Sequence, residues 1–324
     1  MVAVLHGVLR GTGMTDDRAD LCARLFVEAS RDGVASHGLN RFPRFVRMIT
    51  RGIVDVHASP EKTSAAGALE RWAGRAGPGN LNAHACMARA IEVARVHGIS
   101  CVALSNTNHW MRGGAYGWQA AEAGLIGVCW TNTLANVPPW GSAEPRIGNN
   151  PVVIAVARPA GHVVLDMAMS QFSVGALTSY AARGEALPVD GGYDSAGNLT
   201  RDAAAIAATG RLLPIGFWKG SGLALMLDLL AAALSGGRAT HEIAADPELE
   251  TALSQVFIAI DPSSLAPQDE TARIIDAAIA HLHAGDEHVR HPAQRTLETR
   301  ARSIRDGVPV DPAIWAEVKA LAAG

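Results

Sequence analysis

Ser36-His37-Gly38 is followed by Arg41, four residues after the histidine. An imidazole trades a proton near neutral pH, and a guanidinium grips a carboxylate through two parallel hydrogen bonds. In a turn-like tract the two side chains converge on one small ligand, the minimum set for reducing a 2-oxo acid. The same spacing also suits a loop histidine satisfied by backbone, with Arg41 on a solvated face. A second tract, Asn106-Thr-Asn-His109, is flanked by Trp110 and by Gly113-Gly114, which permit close backbone approach. His109 fits a ligand-facing role and a capping or packing role equally. The third tract, Gly216-Phe-Trp-Lys219-Gly-Ser-Gly222, leads into the apolar run Leu223 to Leu234. Free N–H groups at a helix start, with Lys219 beside them, would seat a nucleotide pyrophosphate; a plain N-cap by Ser221 explains the tract as well. The fourth, Asp166-Met-Ala-Met-Ser170-Gln-Phe172, holds a carboxylate among apolar neighbours, which is costly to bury unless paired.

These tracts need elements to hold them. Thr15 to Asp32 reads as a helix: Thr15 at the cap, Asp16 and Asp17 at the positive end of the dipole, Gly33 at the stop. A second helix begins near Pro43, with Phe42, Phe45, Val46 and Ile49 on one stripe. Ala83 to His97 reads as a helix closed by Gly98, and Ile99 to Leu104 as a buried strand that runs into the His109 loop. That loop then lies at a strand's C-terminal end, where open α/β sheets bind ligands. A short helix around Tyr116 to Ala123 and a strand from Leu125 to Trp130 repeat the pattern. Further strands are expected at Val152 to Ala157, Val163 to Met169 and Gln255 to Ile260. Only Arg158-Pro-Ala-Gly161 separates two of these, so the sheet includes an antiparallel hairpin. Leu187 to Ala203 reads as a long surface loop and Arg290 to Gln294 as irregular. The expected class is α/β with a mixed sheet. It forms one unit with a helical N-terminal part (1–75), an α/β core (76–290) and a C-terminal segment (291–324).

Composition narrows the function. The chain has 324 residues, 48% hydrophobic and 18% charged, enough for a sizeable core. A net charge of −3 lacks the basic footprint of a nucleic-acid binder. The four cysteines lie far apart without a C-x-x-C pair, and read as free thiols in a reducing compartment. The N-terminus has no basic region before its short apolar stretch, and Leu223 to Leu234 is too short to span a bilayer, so a cytoplasmic protein is expected. No G-x-G-x-x-G follows a strand, and no P-loop or H-E-x-x-H occurs. A dinucleotide, if bound, is therefore bound outside the standard Rossmann arrangement, and no metal is expected. His241, His281, His283, His288 and His291 read as surface residues.

The tracts resemble, in the same order, the malate/L-lactate/sulfolactate dehydrogenase family, and most of all its 2,3-diketo-L-gulonate reductase branch. The matching stretches are Ser36-His-Gly-Leu-Asn-Arg-Phe-Pro-Arg-Phe45, Asn108-His-Trp-Met-Arg-Gly-Gly114, Tyr116-Gly-Trp-Gln-Ala-Ala-Glu122, Pro138-Pro-Trp-Gly141, Leu187-Pro-Val-Asp-Gly-Gly192 and Trp218-Lys-Gly-Ser-Gly222. The resemblance implies a non-Rossmann NAD(P)-binding fold, a homodimer, and an active site at the domain and subunit boundary. It implies a cofactor, NADH or else NADPH, lying against Asp166, Met167, Ala168, Met169, Ser170, Gln171 and Phe172, with further contacts from Trp218, Lys219 and Thr133. His37 and His109 both match histidines given the acid/base role in relatives, and Arg41 becomes the carboxylate clamp. In relatives a C-terminal Pro-Gly-(His)-Glu tract touches the cofactor. Here His291-Pro-Ala-Gln-Arg295 replaces it, leaving Ala293, Gln294 and Arg295 as candidate contacts. Losing the glutamate and gaining Arg295 would favour a phosphorylated cofactor.

The resulting expectation is an oxidoreductase that transfers hydride from NAD(P)H to the keto group of a small 2-oxo acid. A histidine protonates the alkoxide and Arg41 orients the carboxylate. Substrates of other branches, ureidoglycolate or a cyclic imine carboxylate, are the nearest alternatives. A serine hydrolase built on Ser36 or Ser170 lacks its G-x-S-x-G elbow. A catalytically inactive binding protein finds support only in the altered 291–295 tract.

Overall fold

The computed structural model describes residues 1–286 and 288–323. Its frame is a seven-stranded sheet. In chain order the strands are β1 (Glu61–Ala66), β2 (Leu69–Ala73), β3 (Ile99–Thr107), β4 (Ile126–Thr131), β5 (Val152–Val156), β6 (Val163–Met167), the two-residue pair β7 (Gly192–Tyr193) and β8 (Leu199–Thr200), and β9 (Leu253–Ile260). Across the large sheet the order is β1-β2-β3-β9-β4-β5-β6. Among the described residues only β2 and β3 pair in parallel, and every other ladder of this sheet is antiparallel.

This differs in an instructive way from the helix–strand alternation of the sequence. The crossover from β3 to β4 does not make them neighbours, because β9 inserts between them, antiparallel to both. The expected hairpin across 158–161 is present as β5 and β6. The first 75 residues are not wholly helical, since β1 and β2 form the edge of the sheet. Every residue of β1 is exposed, so it carries no alternation to read. The 187–203 stretch likewise contains the small β7–β8 hairpin.

Helices cover both faces. α4 (Gly79–His97) and α5 (Gly114–Glu122) pack on one, where Met87, Ala90 and Tyr116 meet Val102, Leu104 and Phe257. α8 (Trp218–Ser235) packs on the other, where Leu227 and Ala231 meet Ala103 and Val256. The alternation of Val102 and Leu104 with Ala103 follows from the two-residue period of a strand. α6 (Val174–Arg183) and α7 (Ala203–Thr209) extend the second layer through Leu177 and Ile206. Beyond the sheet lie α9 (Gln268–His283) and α10 (Gln294–Asp306).

A separate helical core joins α1 (Val2–Gly11), α2 (Asp16–Arg31), α3 (Phe42–Thr50) and α11 (Pro312–Ala323). The Phe26 ring of α2 stands 5.3 Å from Phe42, edge to face, and 5.3 Å from Phe45. Each fully buried ring stabilises the packing by about 1.5–3 kcal/mol, and the aromatic pairs add about 0.5–1.5 kcal/mol. The pairing also locks α3 to α2, and so fixes both ends of the connecting turn that carries His37 and Arg41.

Candidate active site

Between α2 and α3 the chain makes two single turns of 3-10 helix, Ala35–His37 and Leu39–Arg41. Gly38 joins them hard against α2: a Cβ there would collide with Ser30 Oγ and lie 2.7 Å from the Ser30 nitrogen. Ser30 Oγ accepts a hydrogen bond from the Leu39 N–H (2.8 Å), closing the turn onto the helix. The spacing from His37 to Arg41 thus becomes two side chains lining one cleft of about 1170 Å³.

The opposite wall comes from the loop after β3. Asn108 anchors it, donating to the carbonyls of Ala76 (2.7 Å) and Gly77 (3.0 Å). Trp110 and Tyr116 pack beneath, and the Tyr116 hydroxyl donates to the Trp110 carbonyl (2.5 Å). This support brings the His109 ring to 5.6 Å from the His37 ring, stacked at 21°. Burial, with Arg41 and Arg112 nearby, pushes His37 down to about 4. Burial also drives His109 well below the ordinary histidine range, with Arg41 and His37 adding to the effect.

The two rings differ in their hydrogen bonds. Nδ1 of His109 accepts the Met111 backbone N–H (3.0 Å), so the proton of the neutral ring sits on Nε2. Protonating His109 would set two donors against each other. Nδ1 of His37 lies 3.1 Å from Ser36 Oγ, a hydroxyl that serves as donor or acceptor, so either protonation state of His37 is accommodated.

Arg41 lies 3.8 Å from the buried carboxylate of Glu250, and burial lowers its guanidinium to about 10. Glu250 also accepts the Leu134 N–H (3.3 Å), and its burial raises its carboxyl. Sequence reasoning passed over Glu250, which carries no local signal. It also gave no role to Arg112, which lines the cleft beside Gly113 and Gly114. Asp166, next to last in β6, lines the cleft; its surroundings raise its carboxyl against the influence of Arg112. It accepts the Gly114 N–H (2.8 Å).

Of the other residues expected at a cofactor, Thr133, Ala168 and Ala293 line the cleft. Met167, Met169, Ser170, Gln171 and Phe172 do not line it: Met169 and Ser170 are buried, and Ser170 Oγ donates to the Phe172 carbonyl (2.9 Å). α10 begins at Gln294, so the 291–295 tract is the approach to a helix, and Arg295 is exposed outside the cleft. Arg290 lines it instead. His291, read from sequence as a surface residue, lines it too, held by a 3.3 Å contact between its Nδ1 and His283 Nε2. Trp218 and Lys219 are exposed away from this cleft. The glycine-flanked helix start also shifts: α8 begins at Trp218, so Ser221 lies inside the first turn and its Oγ accepts the Trp140 N–H (3.1 Å).

Residues 1–319 match the family model for malate/L-lactate dehydrogenase. The 2,3-diketo-L-gulonate reductase of Citrobacter koseri is 44% identical over 97% of this chain and 96% of its own length. An Escherichia coli protein of the same name is 43% identical over 98% and 97%. Among solved structures, sulfolactate dehydrogenase from Methanocaldococcus jannaschii superposes with a TM-score of 0.92 at 26% identity, covering 99% of this chain and 94% of that one. The delta1-piperideine-2-carboxylate reductase of Pseudomonas syringae gives 0.89 at 30% identity, covering 99% and 97%. The paired histidines, the cleft and these full-length matches agree, and the chain belongs to the malate/L-lactate dehydrogenase family.

Proposed function

We propose that this enzyme reduces the keto group of a small 2-oxo acid with a nicotinamide cofactor, and that 2,3-diketo-L-gulonate or a similar sugar-derived acid is its substrate. The observation that carries the reading is the stacked His37–His109 pair beside Arg41 in one cleft. The full-length relatives named for diketogulonate reduction support the choice of substrate.

The cleft suits a dinucleotide. Its volume of about 1170 Å³ exceeds the ~300–1,000 Å³ of pockets for drug-sized ligands. A buried imidazole nitrogen, Nε2 of His291, has no hydrogen-bond partner among the described residues. Thr133, Asp166, Ala168 and Ala293 would hold the cofactor. When bound, a reduced nicotinamide supplies hydride to the carbonyl carbon. We take NADH as the cofactor; Arg295, the group expected to favour a phosphorylated one, stands outside the cleft.

His37 is the proton donor in this reading, because its Nδ1 partner tolerates the imidazolium whereas that of His109 does not. Burial beside Arg41 and Arg112 keeps the ring neutral in the free protein, so the imidazolium forms only when the negative charge of the substrate offsets those two cations. His109 acts as a neutral hydrogen-bond donor to the substrate oxygen. Arg41 orients the carboxylate, and Asp166 holds the Gly114 backbone in place.

We further read the protein as a homodimer. Leu225, Met226 and Leu229 are about half exposed along α8, continuous with exposed Phe217 and Trp218. A second copy covering this face would account for Trp218 and Lys219 lying away from their own chain's cleft. A cytoplasmic location is supported by the four free cysteines, and among the described residues no helix is long and apolar enough to cross a membrane.

The test is oxidation of NADH and NADPH, followed by absorbance, with a panel of 2-oxo acids that includes 2,3-diketo-L-gulonate. Turnover, fastest with the sugar-derived acid, is expected. Silence with the cofactor still bound would redirect the reading to cyclic imine carboxylates.

A further inference from the structure

Asp32, the C-cap residue of α2, is buried and carries an unusual load. It accepts from Arg31 Nε (2.9 Å), from Arg300 Nε (2.9 Å) and Nη2 (2.6 Å), and from Arg112 Nη1 (2.5 Å). Three guanidinium groups thus share one carboxylate, and its four lone-pair sites are filled. Arg300 also lies over the Trp118 ring, 4.2 Å from its centroid, so it is fixed independently.

Arg112 is the member that reaches the cleft. It is only 7% exposed, and Asp32 is tied to one of its terminal nitrogens. Its Nε is buried without a hydrogen-bond partner, and its Nη2 makes no hydrogen bond among the described residues. Nε and Nη2 form the side-on fork of a guanidinium, the geometry that matches two oxygens of a carboxylate or phosphate. Leaving such a cation buried and half used is expensive, and the deficit disappears when an oxyanion arrives. Arg112 bears electrostatically on both His37 and Asp166, so its charge lies near the proton donor and near Asp166 of β6.

We infer that Arg112 is a second oxyanion-binding residue of this site, presenting a free bidentate fork that Asp32 and, behind it, Arg300 hold in register. Within the functional reading above, on which this assignment rests, the oxyanion comes from the carboxylate of the 2-oxo acid or from a phosphate of the dinucleotide. Asp32 is then a positioning residue that acts through Arg112.

Two titrations separate the sources. NADH is titrated into the free protein by fluorescence, and oxalate, a non-reducible mimic of a 2-oxo acid, into the protein saturated with NADH. Each is done for the wild type, Arg112→Lys and Arg112→Ala, the last with and without added guanidinium. Asp32 keeps its bonds to Arg31 and Arg300 in both variants, so the fold has support without Arg112. Losing the fork is expected to raise one of the two dissociation constants about 10- to 100-fold, as for loss of charge-assisted hydrogen bonds. Lysine should recover only part of it and guanidinium most of it, which a purely structural role would not produce. A change confined to oxalate identifies the substrate carboxylate; a change in NADH identifies a phosphate. Wild-type constants in folded variants would overturn the assignment while leaving the functional reading intact. Failure of the wild type to bind either probe would overturn both.

Discussion

His37→Gln and His109→Gln together separate two roles that the cleft brings within one ring stack. Glutamine keeps a neutral N–H near the position of Nε2 but holds no proton to transfer. At His37 the substitution removes the acid, and general acid catalysis contributes about 10²–10⁴ in rate, so kcat for keto reduction should fall by about that factor. At His109 the Nε2–H donor survives, and the main loss is the acceptor for the Met111 N–H at 3.0 Å. A single net hydrogen bond contributes about 0.5–1.5 kcal/mol, or about 2- to 10-fold in rate. His109→Asn inverts the arrangement: its Oδ1 overlays Nδ1 and keeps the Met111 bond, but the donor to substrate is gone. Initial rates of NADH oxidation at saturating 2-oxo acid, with NADH affinity measured in parallel, give the comparison directly. Equal losses for the two glutamine variants, or a larger loss at His109, would refute the tautomer argument and return the acid role to His109.

Other outcomes follow from the same geometry. His37 is held at about 4 against an ordinary 6.5, so the folded state favours the neutral ring: its contribution is complete above pH ~6.5 and is lost as pH falls towards ~4. The difference is on the order of 3 kcal/mol for this group. Urea denaturation at pH 7 and pH 5 should show that slope, and His37→Gln should flatten it. Arg41→Lys keeps the charge but loses the paired donors, so KM for the 2-oxo acid should rise about tenfold with kcat less affected; an unchanged KM would remove Arg41 as the clamp. Leu229→Asp puts a charge on the exposed face of α8 and should shift sedimentation from dimer to monomer, with NADH affinity falling alongside. A variant that remains dimeric would exclude this face as the subunit contact.

Much of the frame was legible because it is local. The acidic first turn and Gly33 of α2, Pro43 in the first turn of α3, and the short connection between β5 and β6 each state their structure within a few residues. The position of β9 was not, since a strand's neighbours are set by pairing with residues more than a hundred positions away. At the site, the two histidines were visible as polar loops at element ends, but their stacking depends on Gly38 fitting against Ser30 and on Asn108 anchoring its loop. Arg112 lies in the 108–114 tract with no role legible in the sequence, because its importance comes from Asp32, eighty residues earlier. Arg295 is a candidate contact only through the family resemblance of 291–295; the sequence does not show that α10 starts at Gln294 and leaves Arg295 exposed.

The central place of β9 also governs how the chain must assemble during synthesis. β3 and β4 are complete by residue 131, yet the strand that joins them is Leu253–Ile260. For that interval the nascent chain holds two apolar strands whose facing edges have no partner, the kind of edge that recruits foreign strands. The sheet closes in its middle and late, over a long loop, which makes for slow folding. A weakened β9 would therefore show itself first as poor yield and aggregation on expression, before any purified protein looked unstable.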